Sequence, residues 1–195
     1  AFMTYAVADA LQTPDPSVDY AAAALYDRQE LLSPWAQALL AQTLNLTQPG
    51  DSRIASLVSN LETAADRSAT GSSWDAPGPG WYNWSTPGFS TAVVVFTLAK
   101  LDPAAPVLTD AVRFLVLSRR ANGCWQSSYE SAWVLFALSE ALTATGDLQA
   151  DFAYEAELNG MVVASGSPAA PASALQPVEA AAPLTDLFAD GPNAL

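Results

Sequence analysis

The sequence predicts a mainly α fold, an incomplete array of stacked helical hairpins followed by a short antiparallel β segment. Three observations carry this. Apolar residues recur at helical spacing in one segment after another up to residue 146. A nine-residue stretch repeats: Thr91-Ala92-Val93-Val94-Val95-Phe96-Thr97-Leu98-Ala99 aligns with Ser131-Ala132-Trp133-Val134-Leu135-Phe136-Ala137-Leu138-Ser139 at an offset of 40. Ser33-Pro34-Trp35-Ala36-Gln37-Ala38-Leu39-Leu40-Ala41 matches the first copy at an offset of 58. A period near 40 with two helices per unit marks stacked hairpins. From Asp151 onward the apolar period drops to two, which is strand spacing.

Taken in order, Phe2, Tyr5, Ala6, Ala8, Ala10 and Leu11 keep helical spacing and stop at Thr13-Pro14-Asp15-Pro16. A second helix is expected from Val18 to about Gln29. Ser33-Pro34 is a start signal, with Ser as N-cap and Pro at the first helical position. Trp35, Leu39, Leu40 and Leu44 follow as a stripe that ends before Pro49-Gly50. Asp51 caps the next helix, with Ile54, Leu57, Val58 and Leu61 on one face. Residues 67–88 are rich in Gly and Pro but carry Trp74, Trp81, Tyr82 and Trp84. Indoles need partners to bury them, so this is an ordered loop or hairpin and not a linker.

Helical pattern resumes over Gly88–Leu101 and over Pro106–Arg119, with Val107, Leu108, Ala111, Val112, Leu115 and Val116 inward. A further helix runs from Ser128 to Thr145, with Glu130 near its positive N-terminus. The recurring helices are apolar around most of their circumference and belong to an inner layer, so Trp35 and Trp133 are expected to be largely buried. The more polar segments 51–66 and 106–119 belong outside. The helical array is assigned to 1–148 and the β segment to 149–195. In the latter, Phe152, Tyr154, Ala156 and Leu158 face one way, Asn159-Gly160 makes a hairpin turn and Met161–Ala164 returns. Residues 165–174 read as a flexible connection, Gln176–Ala182 as a third strand and Leu184–Phe188 as a turn.

Composition removes whole classes of function. The 195 residues are 51% hydrophobic and 14% charged, with a net charge of -13. One Lys and six Arg cannot form a basic stripe, so no nucleic-acid partner and no polybasic membrane anchor is expected. There is no His, which removes His triads and His-ligated metals, and one Cys cannot form an internal disulfide. No apolar run reaches the ~18 residues of a membrane helix. The chain opens inside a helical pattern without an initiator Met, as a piece of a larger protein would.

The run Asn122-Gly123-Cys124-Trp125-Gln126-Ser127-Ser128-Tyr129-Glu130-Ser131-Ala132-Trp133 resembles the Gly-x-Trp-x-Ser-Thr-x-x-Thr-Ala stretch of alpha-2-macroglobulins, above all the bacterial ones. Asp151-Phe152 through Leu158-Asn159-Gly160 resembles the strand hairpin that follows it in that family. Leu184-Thr185-Asp186-Leu187, with Gly191 and Asn193-Ala194-Leu195, resembles the next strand approach, and Leu31-Leu32-Ser33-Pro34-Trp35 an earlier inner-helix start. The resemblance implies the C-terminal part of the α/α-toroid, or thioester domain, running into a partial CUB-like β domain. The parent would be a periplasmic or extracellular endopeptidase inhibitor, free or membrane-anchored, that traps proteases and is not an enzyme. Its bait and thioester would lie outside this chain. The partners implied are proteases and the other domains of the parent. A closed toroid needs more hairpins than the three or so read here. Self-association through Phe2–Leu11 and the open strand edges of 152–195 is therefore expected, insensitive to salt because it is apolar.

No catalytic, cofactor-binding or metal residue is assigned, and no cofactor. Gly123-Cys124-Trp125-Gln126 superficially resembles the family's thioester motif Gly-Cys-x-Glu-Gln, but only Trp125 separates Cys from Gln, which shrinks the ring. The plain reading is a small apolar side chain in a loop. Trp74, Trp81, Tyr82 and Trp84 form a candidate sugar-stacking platform, with Asp75 and Glu130 as a carboxylate pair for an α/α-toroid glycan-active or glycan-binding protein. Against this, acids near helix starts and turns are usually caps. Asp102, Asp110, Asp147, Asp151 and Asp190 fit no twelve-residue calcium loop. Arg119-Arg120 reads as surface pairing with local acids. No Asp-x-Asp-Asp motif of a terpene cyclase is present. The chain is expected not to react with methylamine. Mass spectrometry showing release of a thiol with a matching mass gain would overturn the exclusion of a thioester.

Overall fold

The computed structural model describes residues 1–75, 85–146 and 153–167, and single positions at 181, 183, 185, 187 and 193. They fall into two units, Ala1–Thr145 and Gly146–Leu195. The first carries α1 (Phe2–Leu11), α2 (Pro16–Tyr26), α3 (Pro34–Thr47), α4 (Ser52–Thr63), the strands β1 (Asp66–Ser68) and β2 (Gly71–Ser73), α5 (Pro87–Leu101), α6 (Pro106–Leu117) and α7 (Ser128–Thr145). The second carries β3 (Tyr154–Leu158) and β4 (Met161–Gly166). The protein is thus mainly helical with two small antiparallel sheets.

Local chemistry sets most helix starts. The Asp15 carboxylate accepts from the N–H groups of Ser17 and Val18 at 2.8 and 3.2 Å, and Pro16 takes the first helical position. These satisfy donors the first turn leaves free. The second helix therefore starts two residues before the expected Val18, and it ends at Tyr26, with a 3₁₀ turn over Gln29–Leu31. Asp51 accepts from the Arg53 N–H at 2.8 Å as the cap of α4. Thr86 Oγ1 accepts from the Phe89 N–H at 3.0 Å at the start of α5, and Ser127 Oγ from the Glu130 N–H at 3.1 Å in α7. Ser33 stands at the N-cap of α3, but its hydroxyl makes no capping bond.

The helices alternate between two roles. α1, α3, α5 and α7 succeed one another, each packed on the next along α1–α3–α5 and α5–α7. α2, α4 and α6 each touch the two members of that series that flank them in the chain. α4 buries only Leu57, Val58 and Leu61, and α6 only Val107, Leu108, Ala111 and Leu115; in the other series α3 and α5 are far more enclosed, but α1 buries Ala8 alone and α7 four residues. Val116 points out at 52% exposure, against the expectation that it faces inward, because α6 offers one narrow stripe. α5 is the most enclosed helix, buried from Gly88 to Val95 and again at Thr97, Leu98 and Ala99. Trp35 and Trp133 pack against the core with most of their surface covered, as expected, though neither is fully enclosed. They sit near the starts of α3 and α7. The offset of 58 is corrected: Ser33 precedes α3, whereas Thr91 lies a full turn inside α5, so the capping counterpart of Ser33 is Thr86.

Two tryptophans fasten the outer helices to the inner ones in the same way. Trp74 is fully buried, and its indole N–H donates to the carbonyl of Leu61 at 2.7 Å, in the last turn of α4. Trp125 is buried, and its indole N–H donates to the carbonyl of Leu115 at 2.8 Å, in the last turn of α6. Carbonyls in a last turn have no intrahelical partner, so each indole satisfies an acceptor the helix leaves free. The backbone N–H of Trp74 donates to Thr91 Oγ1 at 3.1 Å, and that of Trp125 to Ser131 Oγ at 3.2 Å. Thr91 and Ser131 are counterparts in the repeat, so both bonds recur from one hairpin to the next.

The β1–β2 hairpin lies against α6, and Gly71 makes this possible. At φ +125 a Cβ there would run into the backbone of Asp110 and Phe114. In the second unit, β3 and β4 pair antiparallel across Asn159-Gly160, as the sequence predicts. Both turn residues have positive φ, 52 and 81, the type I′ geometry that suits a twisted hairpin. The expected third strand over 176–182, Phe152 and most of 184–188 lie outside the described residues.

Trp74→Phe removes the indole N–H, strands the Leu61 carbonyl in the interior and leaves a void. It should lower stability by at least the cost of an unsatisfied buried acceptor, about 1–3 kcal/mol, read from the urea midpoint. Trp125→Phe should cost less, because the Ser118 hydroxyl also donates to the Leu115 carbonyl, at 2.9 Å. Equal losses in the two variants would show that the indole hydrogen bond at Leu61 adds nothing beyond filling space.

Candidate functional site

The starts of α3, α5 and α7 converge in the densest cluster of chemistry among the described residues. Phe89 sits at its centre, with ring centroids 5.6 Å from Trp35, 5.1 Å from Tyr129 and 6.0 Å from Trp133. The Trp133 ring also meets Phe96 edge-on at 5.9 Å. These tilted and edge-to-face arrangements suit ring quadrupoles. Beside them, Glu130 is 5% exposed and its Oε2 accepts from the Thr86 hydroxyl at 2.6 Å. Thr86 is the N-cap of α5 and Glu130 lies in the first turn of α7, so the carboxylate stands where two helix N-termini place partial positive charge. Gly88 is the third part: a Cβ there would collide with the Glu130 carboxylate. The absent side chain of Gly88 is what lets a buried acid fit between α5 and α7.

This arrangement can lock two inner helices at a fixed spacing. In it Glu130 accepts from the Thr86 hydroxyl, while Asp75 is exposed. The carboxylate pair considered for glycan chemistry thus divides into one structural acid and one surface acid. Trp74 is no stacking platform either, since both faces of its ring are buried. Trp81, Tyr82 and Trp84 lie outside the described residues.

Cys124 is exposed in a turn, in keeping with its expected place in a loop. Its N–H donates to Asn122 Oδ1 at 3.1 Å, and its carbonyl accepts from the Arg120 N–H at 2.9 Å, in a turn where Gly123 has φ +83. Arg119 does not pair with an acid as expected; its Nε donates to the Gly123 carbonyl at 2.6 Å and closes that turn. Asp110 pairs with Arg113 one turn on. Asp102 lines an open groove of about 550 Å³ with Asn45, Asp51, Ile54, Val58 and Glu62. Asp51 there is committed to Arg53, whose guanidinium and N–H hold its carboxyl below the ordinary value of 3.8. Asp147, Asp151 and Asp190 lie outside the described residues. Among the described residues no group of three His, Cys, Asp or Glu is placed to hold a metal ion, and no helix is long and apolar enough to cross a membrane.

Sequence reasoning missed the Thr86–Gly88–Glu130 contact and the matched roles of Trp74 and Trp125. The signal for the second was present: each Trp precedes a repeat copy that opens on a hydroxyl, Thr91 or Ser131. Comparison with protein-family models, curated proteins and solved structures finds no match to this chain.

Gly88→Ala normally favours a helix. Here it should cost about 1–3 kcal/mol, as overpacking does, because Glu130 must be displaced. In a Glu130→Ala background most of that cost should vanish. Equal effects of Gly88→Ala in both backgrounds, measured by thermal unfolding, would show that the two residues do not share the site.

Proposed function

We propose that this chain is scaffold of an alpha-2-macroglobulin-like endopeptidase inhibitor: part of its α/α-toroid, with the β3–β4 hairpin opening a CUB-like domain. The observation that carries the reading is the regular alternation of inner and outer helices, with the same tryptophan fastening repeated at α4 and α6. A toroid is built from such a repeat, each hairpin adding one inner and one outer helix. The ordered motifs from Leu31 to Leu195 support the family in particular. In this reading the chain contributes shape and not chemistry, and acts outside the cytoplasm through its parent. A protease would be caught by the parent's other domains as the toroid moves with them as a rigid block.

The alternative, a glycan-binding or glycan-active toroid, would have to rest on Trp81, Tyr82 and Trp84, which lie outside the described residues, since Trp74 is enclosed and Glu130 accepts from Thr86. The test uses the full-length product of the gene that carries this chain, mixed with a broad-specificity endopeptidase. A trap shields the bound protease from large substrates and leaves its active centre open. Turnover of a protein substrate should fall while turnover of a small peptide substrate persists. Equal loss of both, or loss of neither, overturns the reading.

A further inference from the structure

We draw no further inference here: the strongest candidate, the open groove between α4 and the ends of α3 and α5 where Glu62 and Asp102 flank Ile54 and Val58, is an acidic cluster with no second feature pointing to a ligand, in a chain of net charge -13.

Discussion

The enclosure of α5 is the constraint on which the rest of the helical unit depends. A helix buried along nearly all its length must be apolar on every side and must meet α3, α6 and α7 at once. Toward α7 it sets Gly88 against Glu130, the rings of Phe89 and Phe96 against Trp133, and Lys100 beside Glu140. Phe89 lies at the exposed end and gathers Trp35, Tyr129 and Trp133 around it. Burial on this scale is the main stabilising term, at about 25 cal/mol per Å² of apolar surface.

Enclosing one helix does not fix where the outer helices stop or how they are held. Trp74 and Trp125 do this. Each carries enough apolar surface to seal the gap below an outer helix, and each has one N–H for the carbonyl left over in its last turn. The backbone N–H of the same residue reaches a hydroxyl on the following inner helix. One residue thus links the end of one helix to the start of the next, and neither hairpin can rotate without breaking both bonds. The long segment after Trp74 and the short one after Trp125 are equivalent at this point, although their lengths differ.

Several polar side chains of the described residues hold this architecture together. Glu130, the one deeply buried acid, holds α7 to the cap of α5. Asp15 and Asp51 cap helices, and Arg119 closes the Cys124 turn. A scaffold uses its polar groups in this way, and the proposed place in a protease trap rests on that use together with the repeat.

Much of this was legible in the chain. Capping chemistry is local, so Asp51, Pro34 and the Asn159-Gly160 turn announced their elements directly. Helical spacing separated the one-striped α4 and α6 from the apolar α5, which fixed the order of layers. Burial of particular side chains was not legible, because periodicity says which side of a helix is apolar and not what covers it. Trp133 has the apolar neighbours of a core residue and packs against Phe89 and Phe96, yet it is not fully enclosed, and periodicity does not say so. Cys124 has the neighbours of a reactive motif and is a turn residue. The partners of Trp74, 13 residues back at Leu61, and of Glu130, 44 residues back at Thr86, follow from no local pattern. The sequence alone determined the elements, their order and the repeat, because these depend on neighbours within a turn or two. Only the tertiary structure decided which polar groups meet, because contacts between distant residues arise from the packing of whole helices.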